Sequence, residues 1–294
     1  MCTAINETEN FHLFGRTLDV EKSFGERVVI VPSGFNFSFM HEGQACTLNA
    51  IIGMAHLDGK APLFYDGMNE HGLCAAALRF PELCKYHEAT DGKINLASFE
   101  LIPYILANFN SASAAKAALT NLNITPDSFS DKLPTTELHW IVADKFESFV
   151  IESREDGVHI YDNPYGVLTN APDFPTQCFV LDNFRDPLLG DLSSSARFNR
   201  AVNAKMYTTA PENNEAALTR FFHILGTVNQ PDGLFRADAR RLRTLYTSCM
   251  DTENKTYYFT TYDCRTIYAV KLSPKDSALT AFPIAHKENI QFLN

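Results

Sequence analysis

The chain has 294 residues, of which 45% are hydrophobic and 20% are charged, and its formal net charge is −10. This composition is that of a folded protein with a sizeable core and argues against intrinsic disorder. The negative charge argues against a nucleic-acid or anionic-lipid surface, which needs clustered Lys and Arg. Small molecules are therefore the expected partners, and a single domain over residues 1–294 is the expected organisation.

The N-terminal segment does not have the pattern of a signal peptide. Its first twenty residues carry Glu7, Glu9, Arg16 and Asp19 and lack a continuous apolar stretch. No apolar run in the chain approaches the roughly 20 residues needed to cross a bilayer. The seven cysteines form no CxxC pair and no ladder of metal-ligand spacings. The sequence therefore predicts a cytoplasmic protein with free thiols and no membrane span.

Short alternating apolar segments predict strands at both ends and in the middle of the chain. Near the N-terminus they are CTAI, FHLFGRTLD and RVVIVP. In the middle, residues 138–144 and 148–154 and the segment DGVHIYDN are separated by tight connections, which predicts antiparallel hairpins. The C-terminal segments LRTLYTSCMD, KTYYFTTYD and TIYAVKL are rich in β-branched and aromatic residues, as strands are.

Helical periodicity predicts four helices between these strands, at residues 95–109, 112–122, 194–209 and 214–228. Pro103 interrupts the first of them and is expected to kink it. Strands and helices occur in blocks and do not alternate one by one. This order favours antiparallel sheets covered by helices over a parallel sheet. Residues 182–195 are expected to form a long surface loop.

Cys2 is the most informative position for chemistry. A small residue after the initiator methionine permits removal of Met1, which would leave a cysteine that carries its own α-amino group. An α-amine with a pKa near about 7.7 to 8.0 can accept the thiol proton near neutral pH. Taken alone, a cysteine at this position is an ordinary feature of cytosolic proteins. Arg16 and Asp19, however, lie on or just beyond a strand expected to pair with the first, where both can face Cys2.

Seven segments in order along the chain make the pattern specific. They are MCT, GRTLD, NEHGL at 69–73, LHW at 138–140, VLTNAPDF at 167–174, SSSARF at 193–198, and the terminal pair TLYTS and NKTYYFTTYD. With these segments the chain resembles the choloylglycine hydrolase family, the bile salt hydrolases and penicillin V acylases of the N-terminal-nucleophile superfamily. The resemblance implies an α+β fold, a four-layer αββα sandwich in which two packed antiparallel sheets lie between helical layers.

The resemblance also implies roles for particular residues. Cys2 would be the nucleophile, Arg16 would favour its thiolate, and Asp19 would accept hydrogen bonds from the α-amino group. Asn170 would donate its side-chain amide to the oxyanion of the tetrahedral intermediate, a contact whose loss typically costs about 10²- to 10³-fold in rate. Arg197 would support the charges around the nucleophile. Each of these residues alone has an ordinary structural explanation, and only their joint occurrence favours catalysis.

The chain departs from the family pattern in two places. Where the family has an Asn or Tyr before a Phe-Pro pair, this chain has Arg79. The backbone N–H near Arg79 can still donate to an oxyanion, and its guanidinium suits either an oxyanion or a substrate carboxylate. The segment between Asn170 and Arg197 is short, whereas many Gram-positive relatives carry a long insertion there that clasps a neighbouring subunit. We therefore expect a homo-oligomer built as a dimer, or as a tetramer held by other surfaces, with a monomer as the alternative.

Other candidate sites are weaker. The nine histidines show no HExxH motif and no pair at zinc-ligand spacing, so no metal and no cofactor are expected. His71 and His139 are expected to be structural, and Cys74 matches no papain-like signature and is expected in the core. The serines from Ser193 to Ser195 lack a GxSxG frame and predict a helix N-cap.

These observations predict a hydrolase of linear amide bonds that acts through an acyl thioester on Cys2. The resemblance makes a glycine- or taurine-conjugated bile acid the first choice of substrate. Penicillin V or another N-acylated amine is the close alternative, because substrate choice resides in loops that motifs describe poorly. A catalytically decayed relative that only binds acyl amides is the non-enzyme alternative, against which the intact set of five residues argues. No repeat or coiled-coil pattern supports a scaffolding role.

Overall fold

A computed structural model describes residues 1–58, 61–183, 191–237, 240–273 and 277–285. The strands in these ranges are β1 (Cys2–Glu7), β2 (Leu13–Val20), β3 (Arg27–Val31), β4 (Asn36–Phe39), β5 (Gly43–Cys46), β6 (Ile51–Leu57), β7 (Pro62–Asn69), β8 (Cys74–Arg79), β9 (Ile94–Ala97), β10 (Leu122–Thr125), β11 (Leu138–Ala143), β12 (Ser148–Arg154), β13 (Gly157–Asp162), β14 (Val167–Leu168), β15 (Phe235–Ala237), β16 (Arg240–Asp251), β17 (Thr256–Thr261), β18 (Tyr268–Lys271) and β19 (Thr280–Pro283). The α-helices are α1 (Leu101–Asn108), α2 (Ala112–Ala118), α3 (Phe174–Asn183), α4 (Ser194–Tyr207) and α5 (Asn214–Gly226), and short 3-10 turns cover Ser98–Glu100 and Leu119–Asn121.

Two large antiparallel sheets form the centre of the molecule. The first has the order β14-β1-β2-β16-β17-β18, with β15 paired to β16, and contains seven strands. The second has the order β13-β12-β11-β8-β7-β6-β3-β19 and contains eight. Two small pairs lie outside them, the antiparallel β4–β5 and the parallel β9–β10. The strands of the first sheet come from both ends of the chain, so that the N-terminal strand lies in the same sheet as β16 and β17.

Helices cover the outer face of each sheet. Helices α1 and α2 pack on the second sheet, and α4 and α5 pack on the first. Buried side chains such as Met68 and Leu78 meet Leu18 and Met250 between the sheets, and Ile105 of α1 belongs to a separate apolar layer on the outer side of the second sheet. This arrangement is the four-layer αββα sandwich, and the predicted fold class is confirmed. No helix in the described ranges is long and apolar enough to span a bilayer.

The predicted strands are confirmed at both ends and in the middle of the chain. The hairpins β11–β12 and β12–β13 pair in antiparallel register, with Asp144 and Glu147 closing the first of them through a backbone hydrogen bond of 3.0 Å. The strands β6, β7 and β8 were not assigned from the sequence. Their near-continuous apolar character, with both faces buried, hides the alternation that identifies a strand with one exposed face.

The prediction of a helix at 95–109 was wrong at its beginning. Residues Ile94–Ala97 form a strand, and the α-helix begins only at Leu101. The Glu100 carboxylate separates the two, because it accepts hydrogen bonds from the backbone N–H groups of Ala97 and Met40. Pro103 lies in the first turn of the helix, where backbone N–H groups have no acceptor within the helix, and so it fits without interrupting the hydrogen-bond pattern.

The prediction of a loop at 182–195 was also wrong at its ends. Asp182 and Asn183 end α3, a helix that the sequence pattern did not reveal, and Ser194 already begins α4. Residues 184–190 lie outside the described residues. The predicted N-cap is confirmed, since the Ser193 hydroxyl accepts a hydrogen bond from the Ala196 N–H.

Gly15 provides a test of how closely the central strands approach. A Cβ atom at this position would lie 2.1 Å from the backbone oxygen of Ser248 on β16, a distance that no side chain can occupy. We expect Gly15→Ala to lower the free energy of unfolding by about 3 kcal/mol or more, because the clash is with backbone. Thermal or urea unfolding measures this loss.

Gly226, at the end of α5, is the matched control because a Cβ there meets nothing within 4 Å. Gly226→Ala should leave the free energy of unfolding unchanged or raise it slightly. Equal stabilities of the two variants would contradict the close approach of β2 to β16.

Candidate active site

Cys2 begins β1 and lies next to β2, which fixes the direction of its side chain. Its Cα partner on β2 is Leu18, and the partner of Ala4 is Arg16. Directly opposed residues project from the same face of a sheet, and alternate residues along a strand share that face. Cys2 and Arg16 therefore both point into the space between the two sheets. Only 2% of Cys2 is exposed in the chain that still carries Met1.

Arg16 is fully buried and is anchored to the second sheet. Its Nη1 donates to the carbonyl oxygens of Tyr65 and Ala77, and its Nε donates to that of Thr17. Its Nη2 is buried and has no hydrogen-bond partner among the described residues. Burial works to lower the pKa of Arg16, but its interactions with ionised Cys2 and other nearby groups outweigh burial and raise it. The guanidinium therefore stays charged.

Asp19 lies on the opposite face of β2 from Arg16, toward the helical layer. Its carboxylate accepts a hydrogen bond of 2.7 Å from the Thr244 hydroxyl and a longer one of 3.4 Å from the amide of Gln230. The α-amine of Met1 donates to the backbone oxygen of Asp19 at 2.6 Å, and not to its carboxylate. In the chain with Met1 present, the backbone oxygen of Asp19 thus accepts a hydrogen bond from the N-terminal amine, and the Asp19 carboxylate interacts with that amine through its charge.

Asn170 follows β14, the short strand on the other side of β1. The Cα partner of Leu168 is Ala4, so that Asn170 lies opposite Cys2. Its Oδ1 accepts from the backbone N–H of Cys2 at 2.9 Å, and its Nδ2 donates to the Arg79 carbonyl at 2.7 Å. The second N–H of this amide has no partner among the described residues and is available for an acceptor near Cys2.

Arg197 joins Cys2 and Asn170 from the helical layer. It lies in the first turn of α4 and is fully buried. Its Nη1 donates to the Cys2 carbonyl and to the Thr3 hydroxyl, and its Nη2 donates to Asn170 Oδ1 at 2.7 Å. Burial lowers the pKa of Arg197, and the charges of Asp19 and Cys2 oppose that effect.

The loop that carries Asn170 is held by residues that sequence reasoning did not identify as important to the site. The Ser194 hydroxyl accepts from the Asn170 backbone N–H at 2.8 Å, and the amide of Gln177 donates to the Asn170 carbonyl. His139 contacts the Thr169 carbonyl through Nε2 at 2.9 Å and Glu152 through Nδ1 at 3.2 Å. These contacts fit the structural role predicted for His139. The serine cluster was recognised only as a helix cap, because its second contact depends on tertiary packing.

Arg79 ends β8 beside Asn170. Its backbone carbonyl accepts from the Asn170 amide, and a residue's N–H and C=O point to the same side of a strand, so its N–H also points toward Asn170. Its guanidinium points outward, is about half exposed, and forms an ion pair of 3.5 Å with Glu137. An exposed ion pair of this kind is worth little, so a competing carboxylate can replace Glu137.

The N-terminal amine lies in the same buried region. Burial lowers the pKa of the Met1 α-amine, while the negative charges of Cys2 and Asp19 raise it to a smaller extent. A lower amine pKa increases the fraction of neutral amine at pH 7, which is the form that accepts a proton. The amine of Cys2, once exposed by loss of Met1, would lie one residue deeper in the same surroundings.

The structure thus brings together Cys2, Arg16, Asp19, Asn170 and Arg197, with the backbone of Arg79 beside them. Within the described ranges, no group of three His, Cys, Asp or Glu side chains is placed to hold a metal ion. The arrangement offers the Cys2 thiol and two charged guanidinium groups, that of Arg16 on one side of the first sheet and that of Arg197 on the other. The side-chain amide of Asn170 and the backbone N–H of Arg79 are the hydrogen-bond donors next to Cys2. These are the groups that acyl transfer to a cysteine requires.

Two packed antiparallel sheets between helical layers, with the cysteine of residue 2 at the beginning of β1, are the arrangement of an N-terminal-nucleophile hydrolase. The sequence model of one protein family, "Linear amide C-N hydrolases, choloylglycine hydrolase family", matches residues 2–281 of the chain. The chain belongs to this family.

Individual relatives match over nearly their whole length. The chain is 37% identical over 324 aligned positions to a bile salt hydrolase/transferase of Lactiplantibacillus plantarum, with all of each chain covered. It is 32% identical over 308 positions to one of Clostridium perfringens, with 94% of each covered. The solved structure of the C2A variant of conjugated bile acid hydrolase from Clostridium perfringens superposes with a TM-score of 0.92 at 30% identity and full coverage of both chains. The structure of penicillin V acylase from Agrobacterium tumefaciens shares the fold, with a TM-score of 0.80 at 21% identity. The superposition covers 96% of this chain and 90% of the acylase chain.

Cys2 with a free α-amine should be the residue that carries activity. We expect mass spectrometry of the active enzyme to show Cys2 as the first residue, and iodoacetamide to label it with loss of amide hydrolysis. Cys2→Ser should abolish both. Cys46→Ser, which removes an exposed cysteine on β5, is the matched control and should retain activity and labelling of Cys2. Full activity in protein that retains Met1 would contradict the requirement for the α-amine.

Proposed function

We propose that this enzyme hydrolyses glycine- and taurine-conjugated bile acids through an acyl thioester on Cys2. The observation that carries the proposal is the convergence of Cys2, Asn170 and Arg197 in one buried hydrogen-bond network. The curated relatives that match the whole chain are bile salt hydrolases, which supports this substrate over other amides. Penicillin V and other N-acylated amines remain the alternative substrates.

The proposed reaction consists of two acyl transfers, and the α-amine of Cys2 accepts and returns the proton in each of them. The α-amine of Cys2 takes the thiol proton, and the sulfur attacks the amide carbonyl. The free N–H of Asn170 and the backbone N–H of Arg79 donate to the oxyanion. The protonated α-amine then gives its proton to the leaving amine as the C–N bond breaks, and the thioester forms. In the second step the α-amine takes a proton from water as the water oxygen attacks the thioester carbonyl. The C–S bond then breaks, the acyl group leaves as the free acid, and the Cys2 sulfur takes back the proton from the α-amine.

The charged residues act on this reaction from two sides of the first sheet. Arg16 stabilises the thiolate from the space between the sheets. Asp19, on the helical side, holds the α-amine after Met1 is removed, and its negative charge favours the protonated amine that forms during attack. Arg197 fixes the Cys2 carbonyl and Asn170 Oδ1, so that the Asn170 N–H points to where the oxyanion forms.

The Arg79 side chain is proposed to contact the leaving group. Its guanidinium is half exposed beside the carbonyl that accepts from Asn170, and it forms a weak ion pair with Glu137. Glycine and taurine leaving groups both end in an anion, and the fork geometry of a guanidinium suits a carboxylate well. This contact would make conjugates with an anionic end better substrates than neutral amides.

Other properties follow as proposals from the same features. A cytoplasmic location is supported by seven cysteines that are all free thiols. A single domain is supported by one cluster of buried apolar side chains, which covers both faces of the first sheet. A homo-oligomer, as a dimer or as a tetramer, is supported by the family membership, and light scattering of the purified enzyme would give its size.

Parallel assays separate the candidate substrates. We expect kcat/KM for glycocholate and taurocholate to exceed that for penicillin V by at least about tenfold, a difference of about 1.4 kcal/mol in transition-state binding. The Cys2→Ser variant is the background control. Faster hydrolysis of penicillin V would assign the alternative activity. Labelling of Cys2 without turnover of any of the three would favour a protein that only binds acyl amides.

Arg79→Ala tests the leaving-group contact. We expect kcat/KM for glycocholate to fall about fivefold, while hydrolysis of a neutral amide of the same bile acid changes little, because an exposed charged contact is worth about 1 kcal/mol. Glu137→Gln is the matched variant, since it frees Arg79 from its ion pair and should raise kcat/KM for glycocholate slightly. Equal changes on charged and neutral substrates would rule out the contact.

A further inference from the structure

Asp66 forms a buried link between the two sheets. It lies on β7 and is fully buried. One of its carboxylate oxygens accepts from the Tyr246 hydroxyl and the other from the Tyr257 hydroxyl, both at 2.6 Å, and these tyrosines belong to β16 and β17 of the opposite sheet. A carboxylate removed from water is costly unless hydrogen bonds and an opposite charge compensate it. The hydrogen bonds are supplied by the tyrosines, and the charge must come from nearby.

Arg16 supplies the opposite charge. Its Nη1 bonds to the carbonyl of Tyr65, the residue before Asp66, and to that of Ala77 on the neighbouring strand β8. Burial raises the pKa of Asp66 above its usual range, and the Arg16 charge and the two tyrosine hydrogen bonds oppose that effect only in part. Arg16 therefore interacts electrostatically with two acidic groups in the space between the sheets, the Cys2 thiol and the Asp66 carboxylate.

The other ionisable groups around this space are neutral or already balanced. Burial raises the pKa values of Tyr65, Tyr246, Tyr257 and Cys74, so these groups carry no charge near pH 7. Glu26 interacts with the Tyr65 hydroxyl, and its carboxylate also accepts hydrogen bonds from the Ser23 hydroxyl and the Phe24 N–H. On the helical side of β2, Arg197 is accompanied by Asp19. When Asp66 is ionised, the formal charges of Arg16, Arg197, Asp19 and Asp66 sum to zero.

We propose that Asp66 is a positioning residue for the nucleophile, because its carboxylate takes up part of the Arg16 charge that would otherwise act on Cys2. With Asp66 ionised, these four formal charges cancel, and transfer of the thiol proton to the α-amine of Cys2 creates a neutral ion pair. Without it, the site carries one excess positive charge, and the thiolate forms at lower pH. The inference rests on the proposed role of Cys2 as nucleophile, and it concerns the thiol itself.

The test is the pH dependence of alkylation of Cys2 in the protein that has lost Met1. Iodoacetamide reacts with the thiolate, and mass mapping of the N-terminal peptide separates Cys2 from the other cysteines. We expect Asp66→Asn to move the midpoint of this dependence about one pH unit lower, because removal of a nearby negative charge favours ionisation of the thiol. Exposed Cys46 in the same samples is the internal control, and its midpoint should not move.

A second variant distinguishes charge from loss of packing. Tyr246→Phe keeps the carboxylate but removes one of its hydrogen bonds, which raises the pKa of Asp66 and should move the Cys2 midpoint in the same direction by a smaller amount. Asp263→Asn, an exposed charge, should leave it unchanged. An unchanged or higher midpoint in Asp66→Asn overturns the proposal, and if that variant does not fold, the same result in Tyr246→Phe does so. Failure to hydrolyse glycocholate with normal alkylation of Cys2 would instead contradict the proposed substrate.

Discussion

The pairing of β1 with β2 on one side and with β14 on the other is the constraint on which the candidate site depends. This register places Ala4 opposite Arg16 on one neighbour and opposite Leu168 on the other. Because side chains alternate between the faces of a sheet, a shift by one residue would move Arg16 to the helical side and turn Cys2 away from it. The geometry of the nucleophile is thus set by strand register before any side-chain contact is considered.

Arg197 fixes the orientation of the Asn170 side-chain amide next to Cys2. The guanidinium and the Cys2 N–H both donate to Asn170 Oδ1, so that the amide cannot turn around without placing two donors against its own NH₂ group. The Nδ2 of Asn170 must therefore face the Arg79 carbonyl and the open side of Cys2. A buried arginine is costly by itself, but here each of its nitrogens has a polar acceptor, which offsets the loss of water.

The sequence predicted those parts of the structure that local patterns describe. Alternation identified β1, β2 and the hairpins of the middle segment, and the N-cap at Ser193 was found because capping is a local interaction. The strands β6 to β8 were missed because both of their faces are buried and the period-two pattern is lost. The beginning of α1 was placed too early because the contact between Glu100 and Met40 spans sixty residues of sequence.

The candidate site shows the same division between local and distant information. Cys2, Arg16, Asp19, Asn170 and Arg197 were found through motifs, whereas Asp66 was not. A single aspartate within the apolar run LFYDGM is the only signal that the sequence offers. Its meaning depends on two tyrosines about 180 and 190 residues away, which reach it only after the sheets have packed. Interactions across the sandwich cannot be read from spacing along the chain.

The position of the Cys2 nitrogen explains how a folded protein with Met1 can become an enzyme without rearrangement. In the chain with Met1, this nitrogen is an amide that already donates to Asn170 Oδ1 in a buried pocket. An amide nitrogen has no basic lone pair, so the network is complete but holds no base. In the proposed maturation, removal of Met1 turns the same atom into an amine next to the same hydrogen-bond partner and neighbouring charges. In the proposed mechanism, the fold therefore supplies the geometry in advance, and cleavage of one peptide bond supplies the base.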